Sequence, residues 1–217
     1  MKSNLMGETP ARLRGVRSID RGVDQRRCVR DGTSMSPIVY RIDSEDRIVG
    51  VNEGWDDFAR TDGEGSEVAG AKILGCELWA AVSDATIQQL YRLIVAKARA
   101  GDVVRFHYRC DAPGLRRRFE MSVERVGNDV VFTSTLQSSE AREPVVLLEA
   151  SCTRGADSIR MCSWCQKVAG EQGAWIPVEE AVVGMQLLAK VPLPRITHGI
   201  CESCLAGMLK VLGKDAI

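Results

Sequence analysis

No apolar run in the 217-residue chain approaches the roughly 20 residues that cross a bilayer, so a membrane-spanning helix is not expected. The opening stretch, MKSNLMGETPARLRG, lacks the apolar segment of a secretory signal. These two absences lead us to expect a cytoplasmic protein with no membrane among its partners. Net charge is missing too, because 29 Lys and Arg balance 29 Asp and Glu. By segment, residues 1–37 carry +4, residues 38–151 carry −5 and residues 152–217 carry +1. The parts expected to fold therefore lack the broad basic face on which nucleic acid is held. Also absent are a Gly-rich phosphate loop, a Ser–His–Asp-like pattern and a metal motif with an open ligand position. The expectation is a protein that binds and does not catalyse, hence not an enzyme.

Cysteine is plentiful, with eight in a chain that shows no sign of an oxidising compartment. Four of them form two pairs of identical spacing, in MCSWCQKVAG and ITHGICESCLAGM. The pattern is Cys162-x2-Cys165, then 35 residues, then Cys201-x2-Cys204. A two-residue spacer in a tight turn lets two thiolates and neighbouring backbone N–H groups converge on one ion. A second such turn completes a tetrahedron of sulfur. The spacing therefore points to a structural zinc held by Cys162, Cys165, Cys201 and Cys204. A rubredoxin-like iron site uses the same ligand pairs and stays open on spacing alone. The glycines that often follow rubredoxin's cysteine turns are replaced here by Gln166 and Leu205. A thioredoxin-type dithiol needs one such pair, not two. His198, three residues before Cys201, is expected to support a thiolate or a turn, since four cysteines already fill the tetrahedron.

Between the pairs, WIPVEEAVVGMQLLAKVPLP predicts a helix over about residues 178–190. Trp164 and Trp175 are expected in a small core beside the metal. A module of about 55 residues would be marginal without it. Glu179–Glu180, like Asp56–Asp57, reads as a solvated helix face. Cys28, Cys110 and Cys152 read as isolated free thiols, and Cys76 as a small buried cysteine.

Upstream, residues 1–37 are rich in arginine, free of aromatics and interrupted by Gly15, Gly22 and Gly32, which predicts a basic flexible arm. Order is expected from PIVYRIDSEDRIVGVNEGW, where two short alternating strands flank a polar turn. EGWDDFARTDGEG and AGAKILGCELWAAV follow as short helical pieces. SDATIQQLYRLIVAKARAG predicts a longer helix, capped by Ser83 or Asp84 and stopped at Gly101. Ile87, Leu90, Tyr91, Ile94 and Ala98 share one of its faces. Three strands come next. DVVRFHYRC sets Val104, Phe106 and Tyr108 against Arg105, His107 and Arg109. RRRFEMSVERV aligns Phe119, Met121 and Val123, and DVVFTSTL aligns Val130, Phe132 and Leu136. The fold class is thus α+β: a five-stranded antiparallel sheet over residues 38–138 with short helices on one face. A linker over 139–160, with a strand at VVLLEA, leads to a small zinc-stapled module over 161–209.

This order, with YRIDSEDRIVGVNEGWDDFA at its start and Gly75, Leu78 and Trp79 in LGCELW before the long helix, resembles a PAS domain. The segment MCSWCQKV…W…VEEAV…ITHGICESC resembles a cysteine-rich extension found beside PAS domains in bacterial signalling proteins. Together the two resemblances cover residues 38 to about 209. They imply a sensor or adaptor that acts on a signalling protein in trans, since nothing in the chain resembles a kinase, a cyclase or a helix-turn-helix. They also imply a small-molecule ligand of unidentified kind in the PAS-like pocket, and a homodimer. GCELWA departs from the reactive-cysteine segment of flavin-binding light sensors, so Cys76 takes no such role. His107, on the solvent side of its strand, is not expected to ligate haem. The rival reading is a nucleic-acid-binding transcriptional regulator that uses the zinc module and the basic arm. A four-thiolate zinc adds −2 to a module of formal charge +1, which counts against it.

Overall fold

The computed structural model describes residues 35–61, 70–189 and 191–213. The predicted basic arm lies outside them up to residue 34, and Cys28 with it. The chain is α+β, with a five-stranded antiparallel sheet, a second four-stranded sheet and a few short helices.

The main sheet opens with β1 (Ile38–Ile42) and β2 (Ile48–Val51), a hairpin. Its turn forms because the Asp43 carboxylate accepts from the backbone N–H groups of Glu45 and Arg47. Asn52 then redirects the chain. Its side-chain oxygen accepts from Val39 and Trp55, and its amide donates to the Pro37 carbonyl. Helix α1 (Glu53–Thr61) starts there, followed by α2 (Gly70–Ile73). The LGCELW step has a clear mechanical role. Gly75 sits at φ 84°, in the left-handed region that glycine enters without strain, and its N–H donates to the Ile48 carbonyl. Leu78 and Trp79 are buried, and the indole N–H donates to Asp46 at 2.7 Å. The step thereby covers the outer edge of β2. Cys76 on it is exposed, not buried as expected, because its backbone carbonyl accepts from the Ile48 N–H at the strand edge and leaves the side chain outside.

Helix α3 (Ala85–Ala100) is capped as predicted. Asp84 accepts from Thr86 and Ile87 at 3.0 Å each, and Gly101 closes the C-terminus at φ 105°. Its stripe of Ile87, Leu90, Ile94, Val95 and Ala98 lies on the inner face of the sheet. Strands β3 (Val104–Arg109), β4 (Leu115–Val126) and β5 (Asp129–Ala141) follow, and the sheet order is β2-β1-β5-β4-β3. Alternation is as predicted: Phe119, Met121, Val123, Val130 and Phe132 point inward. The interior is filled by rings. Tyr40 stacks on Phe132 at 4.4 Å, and Tyr108 on Phe119 at 5.5 Å.

The second sheet was not foreseen. It comprises β6 (Arg154–Cys162), β7 (Val168–Ala169), β8 (Trp175–Ile176) and β9 (Leu193–Gly199), in the order β8-β7-β6-β9, with β6 and β9 parallel. VVLLEA is not a strand. Residues Val146–Leu148 form a 3-10 turn that drives Leu147 fully into a core with Val145, Ile159, Met161, Val168, Val178 and Leu187. The turn's hydrogen bonds close locally, from Leu148 N–H to the Val145 carbonyl and from Glu149 N–H to the Val146 carbonyl, so the segment joins no ladder, and Val146 is left exposed. The helix expected over 178–190 is shorter. Helix α4 (Val178–Gly184) ends at glycine, and a 3-10 turn over Leu187–Ala189 follows. Helix α5 (Glu202–Val211) closes the described chain. No helix of the described residues is long and apolar enough to cross a membrane.

Candidate metal centre

Strand β6, the turn after it and helix α5 bring the cysteines together. Cys162 is the last residue of β6, Cys165 lies in the turn that follows, Cys201 caps α5 and Cys204 is in its first turn. Their sulfurs all lie within 4.8 Å of one another, and Cys165 Sγ is 3.7 Å from Cys201 Sγ. A tetrahedral site with metal–sulfur bonds of about 2.3 Å needs sulfur–sulfur edges of about 3.8 Å, so the donor set fits such an ion. All four cysteines are free of disulfides. Cys162 and Cys201 are buried, and Cys165 and Cys204 are half-buried. Four sulfurs leave no protein-defined open position, which is the pattern of a structural ion.

The first turn is tight. Gln166 N–H donates to the Cys162 carbonyl at 2.9 Å, and Cys162 N–H donates to the Lys167 carbonyl at 2.8 Å. Closing this turn puts Gln166 at φ 58°, where glycine would rest more easily. The missing glycine noted in the sequence is therefore a strained position filled by glutamine.

The charge on sulfur is also provided for. The Cys162 thiol is drawn down to about 5, first by its hydrogen bond with Cys165. Burial opposes this, and the backbone N–H groups of Cys201, Cys165 and Trp164 assist it. The Cys201 N–H lies 3.4 Å from Cys162 Sγ. In turn Cys165 is pushed well up, chiefly by sharing its proton with Cys162, and Cys204 is pushed up to about 12, chiefly by burial. Cys162 is thus drawn toward the thiolate while Cys165 and Cys204 are pushed toward the thiol, and a cation at the centre would favour the thiolate form that metal binding requires. The N-terminus of α5 adds a favourable partial positive charge beside the sulfurs.

His198 is not brought to the cluster. It lies exposed on β9, in a strand and not a turn, opposite Met161. Ser203, which the sequence reading passed over, takes the supporting place with its hydroxyl 3.2 Å from Cys201 Sγ. Its position inside the second pair, CESC, was the available signal. His107 is exposed as predicted, 3.5 Å from Glu120.

The centre is built into the main sheet. The Trp164 carbonyl accepts from the Arg109 N–H at 2.8 Å, which extends the pairing of β3 into the cysteine turn. Trp164 packs against Phe106 and Tyr91, with ring centroids 6.0 and 6.1 Å away. Trp164, Trp175, Cys162, Cys201, Ile200 and Met208 join the core of α3 and the five-stranded sheet. The two tryptophans therefore do not form a separate core beside the metal, because the cysteine turn lies against β3 and the nearest apolar surface belongs to the main sheet.

A charged joint links the sheets a second time. The Asp111 side chain is fully buried and pairs with Arg109 and with Arg142, the latter at 3.0 Å. Arg142 also reaches Glu179 of α4 at 2.8 Å, and Arg116 binds the same carboxylate at 2.6 Å. Glu179 is thus an anchor between α4 and the main sheet, not a solvated residue. Burial pushes its carboxyl up, but hydrogen bonds from Arg116, its own backbone and Arg142 outweigh this and hold it at about 2.

No family model matches the chain, and no curated protein matches it. Among solved structures, it is similar to a domain of an HTR-like protein from Haloarcula marismortui, at 15% identity and a TM-score of 0.33. That match covers 47% of this chain and 98% of the other.

Proposed function

We propose that this chain is a cytoplasmic signalling protein: a PAS-like sensor or adaptor that acts on a partner in trans, stapled by a structural zinc. The observation that carries the reading is the closed four-sulfur cluster fused to the edge of the main sheet. Cys162, Cys165, Cys201 and Cys204 would hold the ion, and the chemistry it supplies is neutralisation of thiolate charge and cross-linking of β6 to α5. Zinc is preferred over iron because the cluster is closed by four sulfurs and because Gln166 and Leu205 stand where rubredoxin's cysteine turns often carry glycine. The chain contributes no open ligand position and no paired acid and base beside the cluster, which supports a binding role over catalysis.

The test is elemental analysis and a visible spectrum of protein purified without added metal, with crosslinking in its source cells. One zinc per chain, no visible band and recovery of a signalling component support the reading. A red, iron-containing sample would replace zinc by iron. Sequence-selective DNA binding at physiological salt would overturn the adaptor reading in favour of a regulator of transcription.

A further inference from the structure

Of the two edges of the main sheet, β2 is covered by the LGCELW step, whereas β3, with α5 packed nearby, is hydrogen-bonded on its outer side only at its end, by Trp164. Arg109 donates outward to Trp164, and Cys110 donates inward to Arg117. Strand alternation then places the N–H and C=O groups of Arg105 and His107 on the outer edge, where β3 has no further strand partner among the described residues. A cavity of about 460 Å³ runs beside them, between β3 and α5. A second cavity, of about 390 Å³, shares Arg105 and Val211 and continues it toward Lys97 and Asp102, which pair with each other at 3.0 Å. The floor is apolar, from Phe106, Tyr108, Trp164 and Met208, and Cys165 and Cys204 of the sulfur cluster also line the cavity. Gly207 of α5 keeps one wall low, since a Cβ there would meet nothing within 4 Å.

The rim is cationic. Arg105, His107, Arg109 and Arg118 line the first cavity, and no carboxylate does. Arg109 is paired with Asp111 and His107 lies near Glu120, but Arg105 and Arg118 have no carboxylate within ion-pair distance among the described residues. Arg118 sits directly opposite Arg109 across the ladder, and since Arg109 is held by Asp111, Arg118 is the cation of this pair left for an incoming anion.

We propose that this trough takes an extended acidic segment of a partner protein, added as a sixth strand along β3. Main-chain bonds to Arg105 and His107 would supply affinity, as in other strand additions. Alternation would supply specificity: one set of side chains meets the apolar floor, and the other meets Arg105 and Arg118. The expected segment therefore alternates apolar residues with Asp or Glu. The charge of the rim excludes the chain's own basic residues 1–37 as occupant. The proposal rests on the adaptor reading and names the partner's chemistry, but it does not depend on which metal fills the cluster.

The probe is a fluorescent peptide of about nine residues alternating glutamate with valine or leucine, long enough to span β3. Its anisotropy is read with the full, metal-loaded chain. Binding should weaken at least about tenfold in Gly207→Leu, which fills the trough, and in His107→Pro, which removes an outward N–H that an edge strand can spare. The double change Arg105→Glu and Arg118→Glu should reverse the preference toward an alternating lysine peptide. N-methylating one alternate set of peptide amides should abolish binding, and methylating the other set should leave it. Equal binding of a polyglutamate peptide without apolar residues, or equal effects of the two methylated sets, would overturn strand addition. Concentration-dependent dimerisation that is lost in His107→Pro would assign the edge to a second copy and overturn the acidic partner. Metal content is measured on every variant. A metal-loaded chain that recovers a signalling component in crosslinking yet ignores the peptide would reject the trough while leaving the adaptor reading intact.

Discussion

In the main sheet, β4 and β5 are 12 and 13 residues long, pair along their whole length and bury Phe119 and Phe132 completely. In the second sheet, β7 and β8 are two residues each, and the parallel pair β6–β9 ends at the sulfur cluster. The first is held by continuous ladders and aromatic burial, both of which accumulate with strand length. The second has too little ladder for that, so chemistry at four points replaces area. Yet the cysteine turn hydrogen-bonds to β3 and puts Trp164 into the main core. The two regions are unequal partners, and each prediction below breaks one connection between them.

The largest effect should follow Cys162→Ser. If the cluster holds the zinc proposed for it, that ion would contribute roughly 10 kcal/mol or more of apparent binding energy at neutral pH. Hydrogen exchange should show lost protection across Arg154–Val211, and also at Arg109, whose N–H partner is the Trp164 carbonyl. Protection in β1, β4 and β5 should persist. Collapse across all five strands would mean that the shared core around Trp164 makes one cooperative unit.

Next comes the charged joint. In Arg142→Ala the buried Asp111 loses one of its two arginines and Glu179 loses one of its own. Removing one partner of a buried pair typically costs about 3–5 kcal/mol. Arg109 still faces Asp111, so a loss of about 3 kcal/mol in urea unfolding is expected, with metal content unchanged. A loss below about 1 kcal/mol would show that Arg109 alone satisfies Asp111.

This contrast also explains what could be read from the sequence. The strands, the capped helix α3 and the four ligands follow local rules: alternation of Val104, Phe106 and Tyr108, the cap at Asp84, and paired Cys-x2-Cys spacing. The second sheet escaped because β7 and β8, at two residues each, are too short to repeat a pattern, and β9 pairs with β6 across 37 to 39 residues, as in Cys162 with Gly199 and Arg154 with Leu193. VVLLEA misled because its apolar run, with Val145 and Leu147 buried and Val146 exposed, alternates as a strand does while its hydrogen bonds close a turn. Glu179 looked solvated because its partners, Arg116 and Arg142, lie 63 and 37 residues away.

A smaller, pH-dependent effect belongs to Glu179. Its folded carboxyl is held at about 2, below the ordinary value near 4.3. Its contribution is therefore present above about pH 4.3 and is lost as the pH falls toward 2. The side chain is partly exposed, so solvent screening limits the contribution to about 1 kcal/mol. Unfolding midpoints of the wild type and Glu179→Gln should differ at pH 7 and converge toward pH 2. A constant gap across that range would assign the effect of the substitution to packing.

The smallest effect tests the turn itself. Gln166 at φ 58° occupies a conformation that costs an L-residue roughly 1–2 kcal/mol, whereas glycine enters it freely. Against this, Gln166 makes one long bond, from its amide to the Arg109 carbonyl at 3.4 Å, and leaves its side-chain oxygen buried without a partner. Glycine would also lose more chain entropy on folding, by roughly 0.5–1 kcal/mol. The balance favours Gln166→Gly by a few tenths to about 1 kcal/mol, a rise in Tm of up to about 4 °C for a chain of this size. Gln166→Ala should fall below the wild type, because it keeps the strained backbone and gives up the bond to Arg109. The order glycine, glutamine, alanine by thermal unfolding, all three with one metal per chain, would locate the strain in the backbone. If alanine and glycine instead lose stability equally, the amide's link between the cysteine turn and β3 matters more than the turn's conformation.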